Sequence, residues 1–257
     1  MLKVQGLQKF FKVSGKAKHQ DARRRGKQFW ALESLSFEAE TGEVIGLLGA
    51  NGAGKTTTLR LLTGILSESD GSIEYNNQSI GADPLAYRRQ LGFLSGSKGL
   101  YDRLSVIENL QFFGRMYGLN AQNIAQRIDS LAQQLDLTEF LDRKVSELST
   151  GMRQRAAIAR ALVHDPKLVV FDEPTTGLDI VATERVLQCV EALKSDGKTI
   201  LFATHHMDEV ELLCDRILVI DKGKRLYFGD VERFKTDYQA TSLNAALRDC
   251  LQSGGAL

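Results

Sequence analysis

VIGLLGANGAGKTTTLRLL, residues 44–62, decides how the rest of the chain is read. Its first five residues are apolar without alternation, as a strand buried on both faces must be. Gly49 to Thr56 then follows the spacing G-x-x-x-x-G-K-[ST], and the residues after it have the composition of a helix. Strand, glycine-rich loop and helix in that order make a phosphate cradle. Gly49, Gly52 and Gly54, with Ala50, Asn51 and Ala53 between them, let backbone N–H groups close around β- and γ-phosphates. Lys55 adds a cation at that point. The Thr56 hydroxyl can ligate Mg²⁺, and Thr57 stands where an N–H or hydroxyl reaches an α-phosphate.

Three further apolar runs match the first: LVVF (168–171), ILFA (200–203) and ILVI (217–220). Together they predict a mainly parallel sheet covered by helices, an α/β P-loop core. LVVF runs directly into Asp172 and Glu173, so a buried strand ends in two carboxylates. Asp172 at the strand end can hold Mg²⁺ through water. Glu173, one residue further out, can orient and deprotonate an attacking water. His205 follows ILFA at the carboxyl edge of the sheet, where ligands of such folds bind, and can hydrogen-bond a γ-phosphate. A second anion seat is predicted at LSTGM (148–152). There Ser149 caps an apolar-periodic helix, and Gly151 lets another backbone approach.

Alternation predicts an antiparallel edge. In LSFEAE, Leu35, Phe37 and Ala39 share a face, and the N-terminal VQGLQKFF can pair beside it. ILVIDKGKRLYFG reads as a hairpin turning at Lys222-Gly223. Between 96 and 149 the period becomes helical: Val106, Leu110, Phe113 and Tyr117, then Ile124, Ile128, Leu131 and Leu135. The expected organisation is one domain over 1–235. Segments 1–95 and 150–235 form the α/β core, 96–149 is an inserted helical subdomain, and 236–257 is a C-terminal tail.

Of the 257 residues 43% are hydrophobic and 25% charged, with a formal net charge of +1. That is ordinary for a soluble globular protein and supplies no field to steer nucleic acid. No uncharged apolar run approaches the roughly 18–20 residues of a membrane span, and MLKVQGLQKFF lacks the layout of a secretion signal. Cys189, Cys214 and Cys250 are far apart and read as reduced thiols. The one biased segment, GKAKHQDARRRGK (15–27), carries a net +5. It reads either as a solvated strand-to-strand loop or as a contact with anionic lipid headgroups. Nucleic acid is not expected there, since no aromatic residue is interleaved. No N-K-x-D base-recognition motif of a GTPase occurs.

GANGAGKTT, LSTGM, LVVFDEP, TTGLD and ATHH, in this order, resemble the ATP-binding cassette ATPases of membrane transporters over roughly residues 2–230. LSTGMRQRAAIARALVHDP and GFLSGSKGLYDRL are most similar to the ATP-binding subunits of ABC-2-type exporters, including bacterial sodium extruders. The resemblance implies a motor on the cytoplasmic face of a membrane, with ATP and Mg²⁺ as ligands. It implies a second ATP-binding subunit, a homodimer being expected, and a separate integral membrane permease. LSTGM would face the γ-phosphate held by the other subunit. Export is the implied direction. Three positions depart from the family pattern. Gly96, flanked by Ser95 and Ser97, stands where a glutamine is usual. LSTGM replaces the commoner LSGGQ. The adenine-stacking aromatic is Phe11 by order, with Phe29 and Trp30 as alternatives created by the basic insertion. A soluble cassette ATPase, or a nucleotide-gated scaffold not coupled to transport, is the competing reading.

Overall fold

The strand Val44–Leu48 buries all five of its residues, so it must be hydrogen-bonded and packed on both faces. It pairs in parallel with Arg216–Asp221, from Ile45 opposite Arg216 to Leu48 opposite Val219. The latter strand turns back into Lys224–Asp230. The turn falls at Lys222 and Gly223, both with positive φ (45° and 83°), the backbone that a two-residue hairpin with native twist requires. The computed structural model describes residues 1–13, 21–95 and 99–255, and the chain divides into two compact units. Met1–Pro84 with His205–Leu257 forms one and Leu85–Thr204 the other.

In the first unit, Leu2–Lys12 is the centre of an antiparallel sheet. It pairs with Gln28–Ala39 on one side (Leu2 opposite Ala39, Phe11 opposite Phe29) and with Asp70–Tyr75 on the other. Leu35, Phe37 and Ala39 are buried on one face, as their alternation predicts. The stretch after residue 235 is ordered structure. Ser242 caps a helix Leu243–Ser253 by accepting from the Ala245 N–H at 3.3 Å. Leu243, Ala246 and Cys250 of that helix join Leu48, Val219 and Phe234 in one apolar cluster. All three cysteines are free thiols.

In the second unit, Leu91–Ser95, Leu168–Asp172 and Thr199–Ala203 form parallel ladders in that order. Their carboxyl ends align Ser95, Asp172 and Ala203 in register. The helical stretch consists of Val106–Met116 and Ala121–Gln134. Ser105 and Glu108 close a capping box at the first, and Asn120 caps the second. Val106, Leu110, Ile124, Ile128 and Leu131 are buried, as their spacing predicts. Asn109 is buried as well. Its carbonyl accepts from the Tyr101 N–H at 2.8 Å and its amide donates to the Ser105 carbonyl at 2.8 Å, which binds the turn before the helix to the helix itself. Among the described residues no helix is long and apolar enough to cross a membrane.

His164 has a packing role in this unit. Its ring stacks on Tyr117 with centroids 3.7 Å apart and planes 6° from parallel, and Nε2 lies 3.0 Å from the Leu91 carbonyl. Burial, reinforced by the nearby Arg127 and Arg160 charges, holds its pKa at about 4 against an ordinary 6.5. The unfolded chain therefore takes up the proton first as pH falls. The stabilisation is whole above about pH 6.5 and is lost progressively towards pH 4. We expect the urea stability to fall by about 2 kcal/mol between pH 7 and pH 5 from this residue alone. His164→Gln, which does not titrate, should flatten the pH profile by that amount.

Candidate nucleotide site

The phosphate loop Gly49–Thr56 lies wholly in the first unit. Gly49 has φ 148°, and a Cβ there would collide with the Ile220 carbonyl oxygen. Gly54 has φ 121°, with Leu32 Cδ2 at 2.8 Å from a would-be Cβ. Both positions accept only glycine. Gly52, at φ 78°, has open space around it and needs glycine for its backbone alone. The loop feeds the helix Lys55–Leu62, whose N-cap Gly54 supplies no side-chain bond, so the helix start presents backbone N–H groups as an anion seat. Lys55 Nζ donates to the Gly49 carbonyl at 2.6 Å and the Ala50 carbonyl at 3.2 Å, which brings the ammonium over the loop. Thr56 is exposed and Thr57 half-buried. A backbone that only glycine can follow, an uncapped helix start and one cation together fit a polyphosphate.

Two ties from outside hold this loop. The Gly223 N–H donates to the Ala53 carbonyl at 2.7 Å, and Arg23 donates through NH1 to the Gly52 carbonyl at 2.7 Å. The second bond was not legible in the basic segment, of which residues 15–20 lie outside the described residues. Nor are all the cations of that segment left to solvent. Arg23 pairs with Asp21 at 2.8 Å and Arg25 with Glu33 at 2.7 Å.

The three aromatic candidates differ in exposure. Phe11 is 36% exposed, with Lys9 Nζ 5.4 Å from its ring centre. The Phe29 ring is covered by the Arg23 guanidinium at 4.7 Å. Trp30 is flanked by Phe10 at 5.4 Å and Arg25 at 5.0 Å. His205, also in the first unit, is exposed, its ring 4.1 Å from that of His206.

The second unit carries the carboxylates. Asp172 ends the Leu168–Asp172 strand. Glu173 follows with φ 54°, a left-handed conformation that a glutamate rarely adopts. Its N–H is bonded to the Ala203 carbonyl at 2.8 Å, and its Oε2 accepts from Thr176 Oγ1 at 3.2 Å. Strain of this kind clusters at functional positions, and no propensity signals it in a sequence. Sequence reasoning also missed Gln154, buried, whose amide donates to the Pro174 carbonyl at 2.8 Å. That bond fixes the peptide between Pro174 and Thr175 to the helix Thr150–Leu162. Ser149 caps this helix, its Oγ accepting from the Met152 N–H at 3.2 Å, and is exposed. A Cβ at Gly151 would meet nothing closer than Leu178 Cδ2 at 3.5 Å, an ordinary contact. Gly96 and Ser97 lie outside the described residues. Among the described residues no cluster of three or more His, Cys, Asp or Glu forms a metal cage. A hydroxyl and a carboxylate supplementing phosphate oxygens is the donor set that suits Mg²⁺.

Phosphate loop, following helix and parallel strands define a P-loop nucleotide-binding core. The ABC transporter family matches residues 32–176. The ABC transporter ATP-binding protein NatA of Bacillus subtilis is 43% identical over 215 residues, covering 83% of this chain and 87% of that protein. An uncharacterized ABC transporter ATP-binding protein of Methanocaldococcus jannaschii is 39% identical, over 78% of this chain and 72% of that one. A solved ATP-binding subunit of an ABC transporter superposes with a TM-score of 0.84 at 27% identity, covering 97% of this chain and 99% of that one. The chain belongs to the ATP-binding cassette ATPases of the ABC transporter family. A dimeric cassette in a post-hydrolysis state, bound to ADP and Pi, shares the fold with a TM-score of 0.78 at 24% identity, over 90% of this chain and 98% of that one.

Removing the one lysine of the loop tests the cradle. Lys55→Ala should abolish measurable MgATP binding in a fluorescent-nucleotide titration while leaving the thermal midpoint within a few degrees of wild type. Unchanged affinity would refute the assignment.

Proposed function

We propose that this chain is the motor subunit of a transporter, binding MgATP between two copies arranged head to tail and driving a separate membrane permease in the export direction. The observation that carries the reading is Gly151. Its backbone demands no glycine and its surroundings leave room for a side chain, yet it sits at an exposed, capped helix N-terminus. A reason for glycine there lies outside the chain, in the close approach of a nucleotide held by a second copy. The dimeric cassette that shares this fold is consistent with such an arrangement.

In this reading the cradle Gly49–Thr57 holds the triphosphate, Lys55 offsets its charge, and Phe11 stacks on the adenine. Thr56 and Asp172 would hold Mg²⁺, which when bound would offset negative charge on the phosphates. Glu173 takes a proton from the attacking water. The water oxygen bonds to the γ-phosphorus, and the bond to the bridging oxygen of ADP breaks. His205 hydrogen-bonds the γ-phosphate and reports its loss. The Thr176 hydroxyl on Glu173 Oε2 orients the carboxylate. The competing reading, a scaffold without turnover, has no counterpart for so constrained a carboxylate.

We place the permease contact at the turn Leu100–Arg103 of the helical stretch 96–149, which we take as a subdomain inserted in a domain spanning 1–235. Tyr101, Phe112 and Met116 form an exposed apolar group there, at 50%, 42% and 59% exposure. Arg153, one turn beyond Ser149, donates to Asp102 at 3.2 Å and to the Val145 carbonyl at 3.0 Å. The turn is thus bonded to the helix whose start would face ATP. This geometry favours coupling to a membrane partner and a peripheral location at the membrane. Sodium, implied by the extruders the sequence resembles, is the first cargo to test. A lipid contact through 15–27 would rest on Lys16 and Lys18, outside the described residues, with Arg24 and Lys27.

Glu173→Gln keeps the shape of the side chain and removes the base. It should bind ATP, turn over roughly 10²–10⁴-fold more slowly, and elute as a dimer with MgATP. A variant that stays monomeric or hydrolyses normally excludes Glu173 as the base. The trans arrangement has its own test in a 1:1 mixture of Ser149→Arg and Lys55→Ala chains. Mixed dimers should occlude about one ATP each, because both lesions fall in one site and leave the other intact. Neither variant alone should occlude any. Mixed dimers that form yet occlude nothing would overturn the arrangement.

A further inference from the structure

The basic insertion reads from sequence as a solvated loop or a lipid contact, but one of its cations is turned inward. Arg23 is held on three sides. Its Nε and NH2 donate to Oδ1 and Oδ2 of Asp21 at 3.1 and 2.8 Å. Its own backbone N–H donates to Asp21 Oδ1 at 3.0 Å, and its plane lies over the Phe29 ring at 4.7 Å. This fork leaves NH1 for the Gly52 carbonyl at 2.7 Å. The pair is self-reinforcing: the guanidinium holds the Asp21 carboxyl at about 2, and the carboxylate raises the arginine. The segment is also bonded into the strand behind it, since the Trp30 N–H donates to the Arg23 carbonyl at 2.9 Å.

What Arg23 touches matters more than its charge. Gly52 has φ 78° and open space where a side chain would stand, so no neighbour presses on it there. In a trans peptide the C=O and the following N–H point in opposite directions. Holding the Gly52 oxygen therefore sets the Ala53 N–H, which donates to the Ala50 carbonyl at 3.0 Å and closes the tip of the loop. The next carbonyl, Ala53, is held by Gly223, and that turns the Gly54 N–H to the other side of its peptide. Two consecutive peptides of the cradle are thus oriented from outside, one by a backbone group and one by a side chain of the insertion.

We propose that Arg23, locked by Asp21 and Phe29, is a positioning residue of the phosphate loop, and that residues 21–23 of the insertion are part of the nucleotide site. The inference rests on the cradle reading of Gly49–Thr56. Its consequence is selective: the loop's grip on phosphates depends on Arg23, while contacts to the base and ribose do not.

The test compares two probes, MgATP and inorganic pyrophosphate, on the full chain. Arg23→Ala should weaken both by about tenfold, the scale of one charged hydrogen bond that orders the loop, raising KM for ATP while kcat stays within about twofold. Arg23→Lys, which can reach Gly52 but cannot form the fork with Asp21, should lie between. Asp21→Asn combined with Arg23→Ala should add little to Arg23→Ala alone, since the carboxylate acts through the arginine. Unchanged affinity in Arg23→Ala with a wild-type thermal midpoint overturns the proposal, as does a loss confined to ATP and absent with pyrophosphate, which would place Arg23 at the base. If Arg23→Ala fails to fold, Arg23→Lys decides by the same two probes. Lys55→Ala in parallel separates the levels. Lost pyrophosphate binding in Lys55→Ala with none lost in Arg23→Ala sinks only the positioning role, while retained binding in Lys55→Ala sinks the cradle itself.

Discussion

The first unit is organised around a loop whose carbonyls are taken by neighbours, Gly49 and Ala50 by Lys55, Gly52 by Arg23 and Ala53 by Gly223. Backbone N–H groups are obligatory donors, and a loop with positive φ at Gly49, Gly52 and Gly54 has no intrinsic reason to keep its peptides aligned. The alignment is imposed by neighbours. Gly49 is pressed against the Ile220 carbonyl and Gly54 against Leu32 and Ala31. Gly223, whose own Cβ would lie 2.6 Å from the Ala31 carbonyl oxygen, ties Ala53 down. A hairpin turn and an antiparallel strand thus act as a mould for the cradle. The glycine at 223 matters to the shape of the loop although it is remote from it in sequence.

The second unit solves a different problem, presenting a carboxylate in a fixed direction at the end of a buried strand. Continuing Leu168–Asp172 as a strand would carry Glu173 along the ladder. The left-handed residue breaks that path, and the bond to Ala203 and the Gln154 amide on Pro174 hold the break in place. Such strain costs on the order of 1–3 kcal/mol, so the surrounding bonds must exceed it. The same helix that supplies Gln154 begins at Ser149. The backbone beyond Glu173 and the exposed helix start at Ser149 are therefore tied to one element.

Period and motif made most of this legible. The four unbroken apolar runs became buried strands, and the Lys222-Gly223 turn and both helices of 96–149 appear where alternation and spacing put them. Three things did not show. Asp70–Tyr75 is a strand because it completes the Leu2–Lys12 sheet, and DGSIEY is too short and polar to announce it. The helix Leu243–Ser253 is legible in principle from Leu243, Ala246, Leu247, Cys250 and Leu251 behind a serine cap, and reading 236–257 as a tail overlooks it. The Arg23 bond could not be read at all. A run of cations says nothing of which one meets a carbonyl 29 positions on, because that depends on strand register and not on composition.

The path of the chain has a consequence for its synthesis. Leu85–Thr204 is continuous in sequence, whereas the other unit is assembled from Met1–Pro84 and His205–Leu257. Domains tend to fold as units as the chain emerges from the ribosome. The continuous unit has all its strands once residue 204 is out. The phosphate loop is made early, yet its mould includes Ile220 and Gly223, and the cluster holding Leu48 includes Leu243 and Cys250. A nascent chain therefore carries the loop's sequence long before it can carry its shape, which waits for Ile220 and Gly223.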